Sequence, residues 1–510
     1  MRPARTLRLA IALATVTLGL TGAAPAIAST SQLSLFQDDA QLVLSGDAAR
    51  ERGLDDLQAL GVDAVHSIVF WAKVAPAPTA RAKPTGFDGS DPAAYGATTW
   101  DKYDGLVRGA QARGLDIVLS PASPIPFWAS GCKQGRGVAL RTCRPSPTQF
   151  KRFVQALGRR YSGSYVDESP GGGVLPRVKR WSVWNEPNQG GWLTPQYAKV
   201  RGRVQPQSPV VYRALVRAAA KGLAASGHRS DELLFGETAP IGRRTGALSK
   251  RPIAPGAFLR AALCLDARGR QLNKQSAAAR ALDCGGFPRL PVTGVAHHPY
   301  TRGGSRPPTD AGSSTEITIS SASRLKAIVR QAAARGRIRS GLRISYTEFG
   351  FQTNPPDELF GVGLEAQAAY LNHSDWIAYR DPGVRTVAQY ELRDEQNTAA
   401  FQTGLRFLDG RPKPSLVAYR MPLWLTRKGS QYRVWGQVRP AADGAREPVE
   451  VQSAPPGSNA FETVTTATTK GRKGFVDVTV PARPGSWRLR WTPAGGGETI
   501  TSRIADGVGR

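Results

Sequence analysis

Beyond residue 28 the chain has no apolar run long enough to cross a bilayer, which excludes a membrane-spanning segment there. It shows no internal repeat and no low-complexity linker. Acidic residues are few beside basic ones, 39 Asp and Glu against 68 Lys and Arg, for a net charge of +29, or about +26 without Arg2, Arg5 and Arg8. The basic charge is scattered rather than blocked and no nucleic-acid motif accompanies it, so nucleic acid is not an expected partner. Outside a cell such a surface favours anionic wall polymers, acidic polysaccharides or lipid headgroups. An arginine-rich composition without a specific partner accounts for the charge equally well. Cysteine is also scarce: there are four, no two with the close spacing of a zinc knuckle and none with a histidine near it, so metal binding is their weaker use.

What is present begins with an N-terminal leader. Three arginines precede an apolar stretch over residues 9–20 and a small-residue site, Ala26-Ile27-Ala28. This order predicts a secretory signal peptide over residues 1–28, cleaved before Ser29, and a secreted, extracellular or wall-associated protein without stable membrane insertion. The four cysteines of an exported chain are expected to be oxidised; of the three possible pairings, Cys132 with Cys143 and Cys264 with Cys284 are the sequence-local ones. A hydrophobic content of 41% with 21% charged residues belongs to a globular protein, and 55 Gly and 38 Pro imply many loops.

Short apolar runs near residues 34–39, 64–71, 115–119, 178–183, 233–237, 292–297, 342–346 and 384–390 read as strands. Segments with helical spacing alternate with them, over residues 50–60, 100–113, 147–161, 209–226, 258–265, 321–335, 364–379 and 414–420. Eight such alternations predict an α/β fold, a (β/α)8 TIM barrel with long loops, over residues 29–422. A doubly wound open sheet is disfavoured, because no Gly-rich phosphate fingerprint follows the first strand and polar residues gather after many strands. From residue 423 helical spacing disappears, and short alternating runs separated by Pro, Gly and Asp turns predict a C-terminal antiparallel β-sandwich domain over residues 423–510. Trp435, Trp487 or Trp491 could make that tail a carbohydrate-binding module; packing in a sandwich core is the preferred use of such tryptophans.

The chemistry is expected where strand four runs out. In Trp181-Ser182-Val183-Trp184-Asn185-Glu186-Pro187-Asn188 the apolar residues give way to an amide, a carboxylate and a proline. A carboxylate is thereby placed at the carboxyl end of a barrel strand, where the strand holds it and the loop shapes a site. Glu348 stands in the same position after strand seven. Two carboxylates facing each other across the barrel mouth meet the need of glycosidic bond hydrolysis, one to protonate the leaving oxygen and one to attack the anomeric carbon.

Trp184-Asn185-Glu186-Pro187-Asn188 resembles the strand-four motif of the clan A glycoside hydrolases, most like family 39 and its relatives. Tyr346-Thr347-Glu348-Phe349-Gly350 resembles that clan's strand-seven motif, and His298-Pro299-Tyr300 its strand-six His-x-Tyr. The resemblance covers about residues 34–420, in motif order more than in continuous similarity. It implies a retaining glycosidase acting on a carbohydrate substrate, with Glu186 as general acid/base and Glu348 as nucleophile. It further implies that Asn185 binds the hydroxyl beside the reacting carbon, that Tyr300 holds and tunes Glu348, and that His298 shapes the site. The mechanism expects Glu186 to be kept protonated and Glu348 ionised. No cofactor and no metal is expected; His297 and His298, adjacent on a strand, face opposite ways and would not share an ion, which leaves His297 as a core histidine. Trp71, Trp128 and Trp192 are candidate sugar platforms or barrel packing, with a sugar platform favoured for Trp192, in the loop just after Glu186.

Two other functions compete with hydrolysis. One is a non-catalytic wall-glycan-binding protein on a barrel scaffold, which has no need for both carboxylates. The other is an adhesive role driven by charge, which high salt would abolish. Sugar identity and specificity are expected to reside in the long loops after strands two, three and five.

Overall fold

The computed structural model describes residues 29–132, 137–169, 171–200 and 202–507. The expected signal peptide lies outside the described residues. Eight parallel strands close into a barrel: β1 (Leu33–Gln37), β2 (Ala64–Phe70), β3 (Asp116–Ala122), β4 (Arg180–Ser182), β5 (Glu232–Thr238), β6 (Gly294–His297), β7 (Ile344–Tyr346) and β8 (Val384–Tyr390). Each pairs with its sequence neighbours, and β1 closes the ring on β8. Strands buried on both faces carry near-continuous apolar runs, as β2 does with Ala64, Val65, Ile68 and Val69. Leu35, Ala64, Val118, Leu234, Ala296 and Ala388, one from each of six strands, form a separate buried cluster that fills the inside of the ring.

Helices follow every strand: α1 (Asp47–Ala59), α2 (Asp101–Ala112), α3 (Pro147–Arg160), α4 (Ser208–Ala225), α5 (Pro255–Ala262), α6 (Ala322–Ala334), α7 (Leu364–Tyr379) and α8 (Pro414–Arg420). Their starts obey local chemistry. Ser146 caps α3, its hydroxyl accepting from the Gln149 N–H, and Pro147 occupies the first helical turn, where no N–H is needed. The apolar faces of these helices bury against the strands in one continuous core.

The C-terminal region consists of β9 (Leu423–Lys428), β10 (Gln431–Gln437), β11 (Pro448–Ala454), β12 (Glu462–Thr468), β13 (Phe475–Pro481), β14 (Gly485–Trp491), β15 (Ile500–Thr501) and β16 (Ala505–Gly507). One antiparallel sheet runs β9-β10-β13, and the other β12-β11-β14-β15 with β16 also on β14. The two enclose a core of their own. Trp435, Trp487 and Trp491 are at most 5% exposed, so none offers a sugar platform. Trp435 and Phe475 instead pack against Trp376 and Tyr379 of α7, which seats the sandwich on the barrel. Gly61, just beyond α1, has φ +72, and a Cβ there would lie 2.3 Å from the Arg439 backbone, so the approach of the two units requires glycine.

Both sequence-local cysteine pairs are bridged, Cys132 with Cys143 and Cys264 with Cys284. No helix among the described residues is long and apolar enough to cross a membrane.

Candidate active site

Four adjacent strands deliver the site from their carboxyl ends. Glu186 follows β4, Glu237 is the penultimate residue of β5, His298 follows β6 directly, and Glu348 lies two residues past β7. The strand-four ladder is shorter than its apolar run because Trp184 and Glu186 take left-handed backbone, at φ 72° and 37°. Glu237 does the same at φ 45°. Non-glycine residues hold such conformations only where their surroundings fix them, which is common where side chains are aimed for function. Asn188 fixes this turn: its Nδ2 donates to Ala239 O at 3.1 Å and Ile253 O at 3.0 Å, and its Oδ1 accepts from Ala239 N at 2.9 Å.

His298 is the centre of the cluster. Its Nδ1 lies 3.2 Å from Glu186 Oε1 and 3.6 Å from Glu348 Oε2, and its Nε2 lies 2.8 Å from Glu237 Oε2. Burial works against a charged imidazole here, but Glu348, Glu186 and Glu237 outweigh it and raise His298 well above its usual range. It is an imidazolium with a carboxylate at either end. Burial would likewise raise Glu237; the hydrogen bond from His298, the charges of His66 and His298, and the Ser182 hydroxyl together hold it below the usual carboxylate range. Thr347 Oγ1 donates to the same carboxylate at 2.6 Å.

The side chains of Glu186 and Glu348 are 20% and 11% exposed, whereas those of His298 and Glu237 are fully buried. Two carboxylates therefore face outward from an ionic pair sealed beneath them. Tyr300 donates to Glu348 Oε1 at 2.9 Å. Burial lifts Glu348 to about 7, and the nearby charge of Glu186 adds to this, while His298 and the Tyr300 hydroxyl pull the other way. The expectation that Glu348 is kept ionised is thus corrected: the Tyr300 donor and His298 favour the carboxylate, but burial outweighs them. Three carboxylates share one imidazolium in a buried space, and the cost of a further negative charge keeps Glu348 basic.

The sequence-expected residues fare unequally. Glu186, Glu348, His298 and Tyr300 meet in one cluster. Asn185 is 2% exposed beside them in the chain, and its Oδ1 is buried without a hydrogen-bond partner. Trp192 is half-buried, its carbonyl accepting from Trp184 Nε1 at 3.1 Å and Ser123 Oγ at 2.9 Å. Trp71 is not a sugar platform: it is fully buried and lies flat against Phe153 at 5.1 Å, with Phe150 and Trp128 on its other sides. The bulk of an indole at a strand end fills the gap between barrel and helix as readily as it could hold a sugar. His297 turns away from His298 to Thr238 Oγ1 and Ile317 O, both at 2.8 Å, and burial lowers it to about 4, so it is neutral.

Glu237 is not among the site residues expected from sequence. Its signal was a carboxylate directly after the apolar run Leu233-Leu234-Phe235. Neither is Phe401, 39% exposed on the loop after β8, whose ring lies 5.5 Å from Tyr300 and 5.9 Å from Tyr390. Nothing in its own stretch of sequence distinguishes that residue.

Among the described residues, Glu186, His298 and Glu348 each offer one ligand atom, all within 4.8 Å of one another, and could hold a metal ion. A ligating imidazole must be neutral. Glu348, Glu186 and Glu237 together raise His298, so an ion taken up here would have to displace its proton.

No family model matches the chain, and no curated protein matches it. Solved structures similar to it include GH5_18 from Streptomyces cattleya in complex with GlcNAc, at 16% identity over 76% of this chain and 78% of that one, with a TM-score of 0.45. A GH30 endoxylanase from Clostridium papyrosolvens is 11% identical over 89% of this chain and 95% of its own, with a TM-score of 0.45. A family 1 β-glucosidase from Thermotoga maritima is 14% identical over 72% and 84%, with a TM-score of 0.42. Similarity at this level assigns no residue a role.

Proposed function

We propose that the chain is a secreted retaining glycoside hydrolase of the clan A type, most like family 39, with Glu186 and Glu348 as its two reacting carboxyl groups. The observation that carries this reading is their placement. They stand at the carboxyl ends of β4 and β7, partly exposed, with carboxylate oxygens within 4.8 Å of each other. That is close to the short separation, about 5–5.5 Å, of a retaining pair, and short of the roughly 6.5–9.5 Å that leaves room for a water in an inverting pair.

In this mechanism Glu348 attacks the anomeric carbon while Glu186 gives its proton to the leaving glycosidic oxygen, forming a glycosyl ester on Glu348. Glu186, now ionised, then takes a proton from water as the water's oxygen attacks the same carbon, and Glu348 leaves as the carboxylate. His298, whose Nδ1 faces both carboxyl groups, holds positive charge beside them as the negative charge moves from one to the other. Tyr300 supports Glu348 as a carboxylate. The unpartnered Oδ1 of Asn185 suits a sugar hydroxyl, since a buried acceptor without a donor costs free energy that substrate would recover.

Residues 29–422 would form the catalytic barrel and residues 423–510 an accessory domain. Two disulfides suit an oxidising compartment and support export. Release of reducing ends from plant, microbial and cell-wall glycans tests the proposal. Wild type should release them, and Glu186→Gln and Glu348→Gln should each lower the rate by about 10³-fold or more. Wild type and both variants equally inert, yet binding one glycan, would transfer the reading to a binding protein. Activity abolished by a chelator and restored by a divalent ion would make the cluster a metal centre.

A further inference from the structure

A second charged feature lies at the other end of the barrel. Between the C-terminal half of α4 and the loop over residues 286–293 runs a groove of about 860 Å³. Lys151, Arg217, Lys221, Arg229 and Arg289 line it, against a single carboxylate, Asp231. Among the described residues none of the five cations forms an ion pair. Asp231 is already committed, lying 2.7 Å from Arg177 and 2.6 Å from His228.

Behind Arg217 the wall of the groove gathers further positive charge, answered in part by Asp283. Arg213, Arg217 and Arg337 converge on the ring of Phe287, at 5.3, 5.1 and 4.6 Å from its centroid. Arg217 Nε and Nη2 are buried without hydrogen-bond partners, as is Arg337 Nε. Burial lowers all three guanidinium groups, Arg213 to about 10, with mutual repulsion adding to the effect at Arg213. Partly buried cations that Asp283 compensates only in part are costly, and an anion entering the groove beside Arg217 would offset that cost. The Cys264–Cys284 bridge, with Arg213 Nη2 donating to Leu282 O and Asp283 O at 2.5 and 2.8 Å, ties the start of this loop to its base.

We propose that this groove is a binding site for an acidic polysaccharide, a sugar chain bearing carboxylate groups. Its floor, with Ala220, Leu223, Pro288 and Pro291, offers low apolar relief suited to the carbon faces of sugar rings, between guanidinium and ammonium groups that match carboxylates. Single-stranded nucleic acid fits less well, because Phe287 lies behind guanidinium groups and the one aromatic ring in the lining, His228, is buried and bonded through both nitrogens to Asp231 and Gly158 O, which leaves bases nothing to stack on. A membrane surface fits less well too, since none of the exposed large hydrophobic residues lies here to insert. Leu233 in the groove and Glu237 in the site lie four residues apart on β5, roughly 13 Å along the strand. Polymer held here leaves the carboxylate pair free.

The test is binding of the full mature chain to polygalacturonate at low and physiological salt, with a neutral polysaccharide and single-stranded DNA as comparison ligands. Lys221→Glu/Arg229→Glu/Arg289→Glu alters exposed rim residues; Arg52→Glu/Arg335→Glu/Lys428→Glu changes the net charge equally at exposed positions elsewhere. The groove variant is expected to bind polygalacturonate about tenfold more weakly or worse, and the control variant to bind like wild type. Equal losses in both would overturn the proposal in favour of diffuse charge. Tighter binding of DNA than of polygalacturonate, lost in the groove variant, would overturn the assigned class. Glu348→Gln should bind polygalacturonate as wild type does, so failure of the hydrolase reading and failure of this one are distinguishable.

Discussion

His298 Nε2 and Glu237 Oε2 stand 2.8 Å apart, and neither side chain is exposed. With Glu348 and Glu186, Glu237 holds the charge of the imidazole that those two carboxyl groups share. Glu237→Gln removes the buried anion and leaves His298 poorer in compensating charge. The variant should lose about 3 kcal/mol of stability, and its turnover should fall. In wild type at pH 7 the His298 ring nitrogens should show the NMR shifts of an imidazolium; in the variant that signature should weaken. An unchanged spectrum with lost activity would mean that Glu237 acts through packing alone.

Glu348 titrates near 7, and the nucleophile's role needs it ionised. The acidic limb of kcat/KM should therefore rise through about pH 7. The Tyr300 hydroxyl stabilises the carboxylate, so Tyr300→Phe should move that limb to higher pH while slowing the reaction. A limb that does not move would separate Tyr300 from the titrating group.

Asn185 and Phe401 should separate in their kinetics. Asn185 is buried next to the acid/base in the chain, where a hydrogen bond to substrate can strengthen in the transition state, so Asn185→Ala should lower kcat/KM by about 10²-fold or more, largely through kcat. Phe401 presents an exposed ring beside Tyr300. If it carries a sugar face, Phe401→Ala should raise KM several-fold with little change in kcat. Identical effects from both substitutions would contradict this division.

The barrel was legible because each strand and helix announces itself locally, through an apolar run or a 3.6-residue spacing, as in Val384–Tyr390 and Leu364–Tyr379. β3 runs to Ala122, past the expected end at residue 119, because Pro121 sits inside a strand where the pattern suggests a stop. Glu186 and Glu348 stand out because each strand-end carboxylate also sits in a local motif, residues 184–188 and 346–350, which Glu237 lacks. Phe401 does not, since its partner Tyr300 is brought to it only by closure of the barrel. Trp71 shows the converse failure: a strand-end aromatic looks the same in sequence whether it faces solvent or the helix layer.

Stability should depend on pH through Glu348. Its ordinary value is 4.5 and its folded value about 7, so folding favours the protonated form. The stability this group contributes is complete below 4.5 and is lost as the pH rises through 7. Gln cannot ionise, so Glu348→Gln should gain on wild type between pH 4.5 and 7, by up to about 3 kcal/mol. Unfolding by urea at pH 4.5 and 8 measures this; a difference independent of pH would remove Glu348 as its source.

Arg439 joins the sandwich to the barrel. Its Nη2 lies 2.9 Å from Asp375 Oδ1 of α7, its Nη1 donates to Tyr419 O, and its guanidinium covers the Tyr419 ring at 4.0 Å. Burial raises Asp375 even with Arg439 pulling it down. Arg439→Met keeps the stem's packing but strands that carboxyl group, which must then stay protonated or bear a buried, unpaired charge. The loss should be about 3 kcal/mol near pH 8, where the unfolded chain's Asp375 is ionised, and smaller near pH 4, where protonation of a buried carboxyl costs little. Because Trp376 and Tyr379 lie under the same interface, local opening there should also raise tryptophan accessibility to a soluble quencher at pH 8. Equal destabilisation at the two pH values would show that Arg439 contributes contact area rather than charge to the junction.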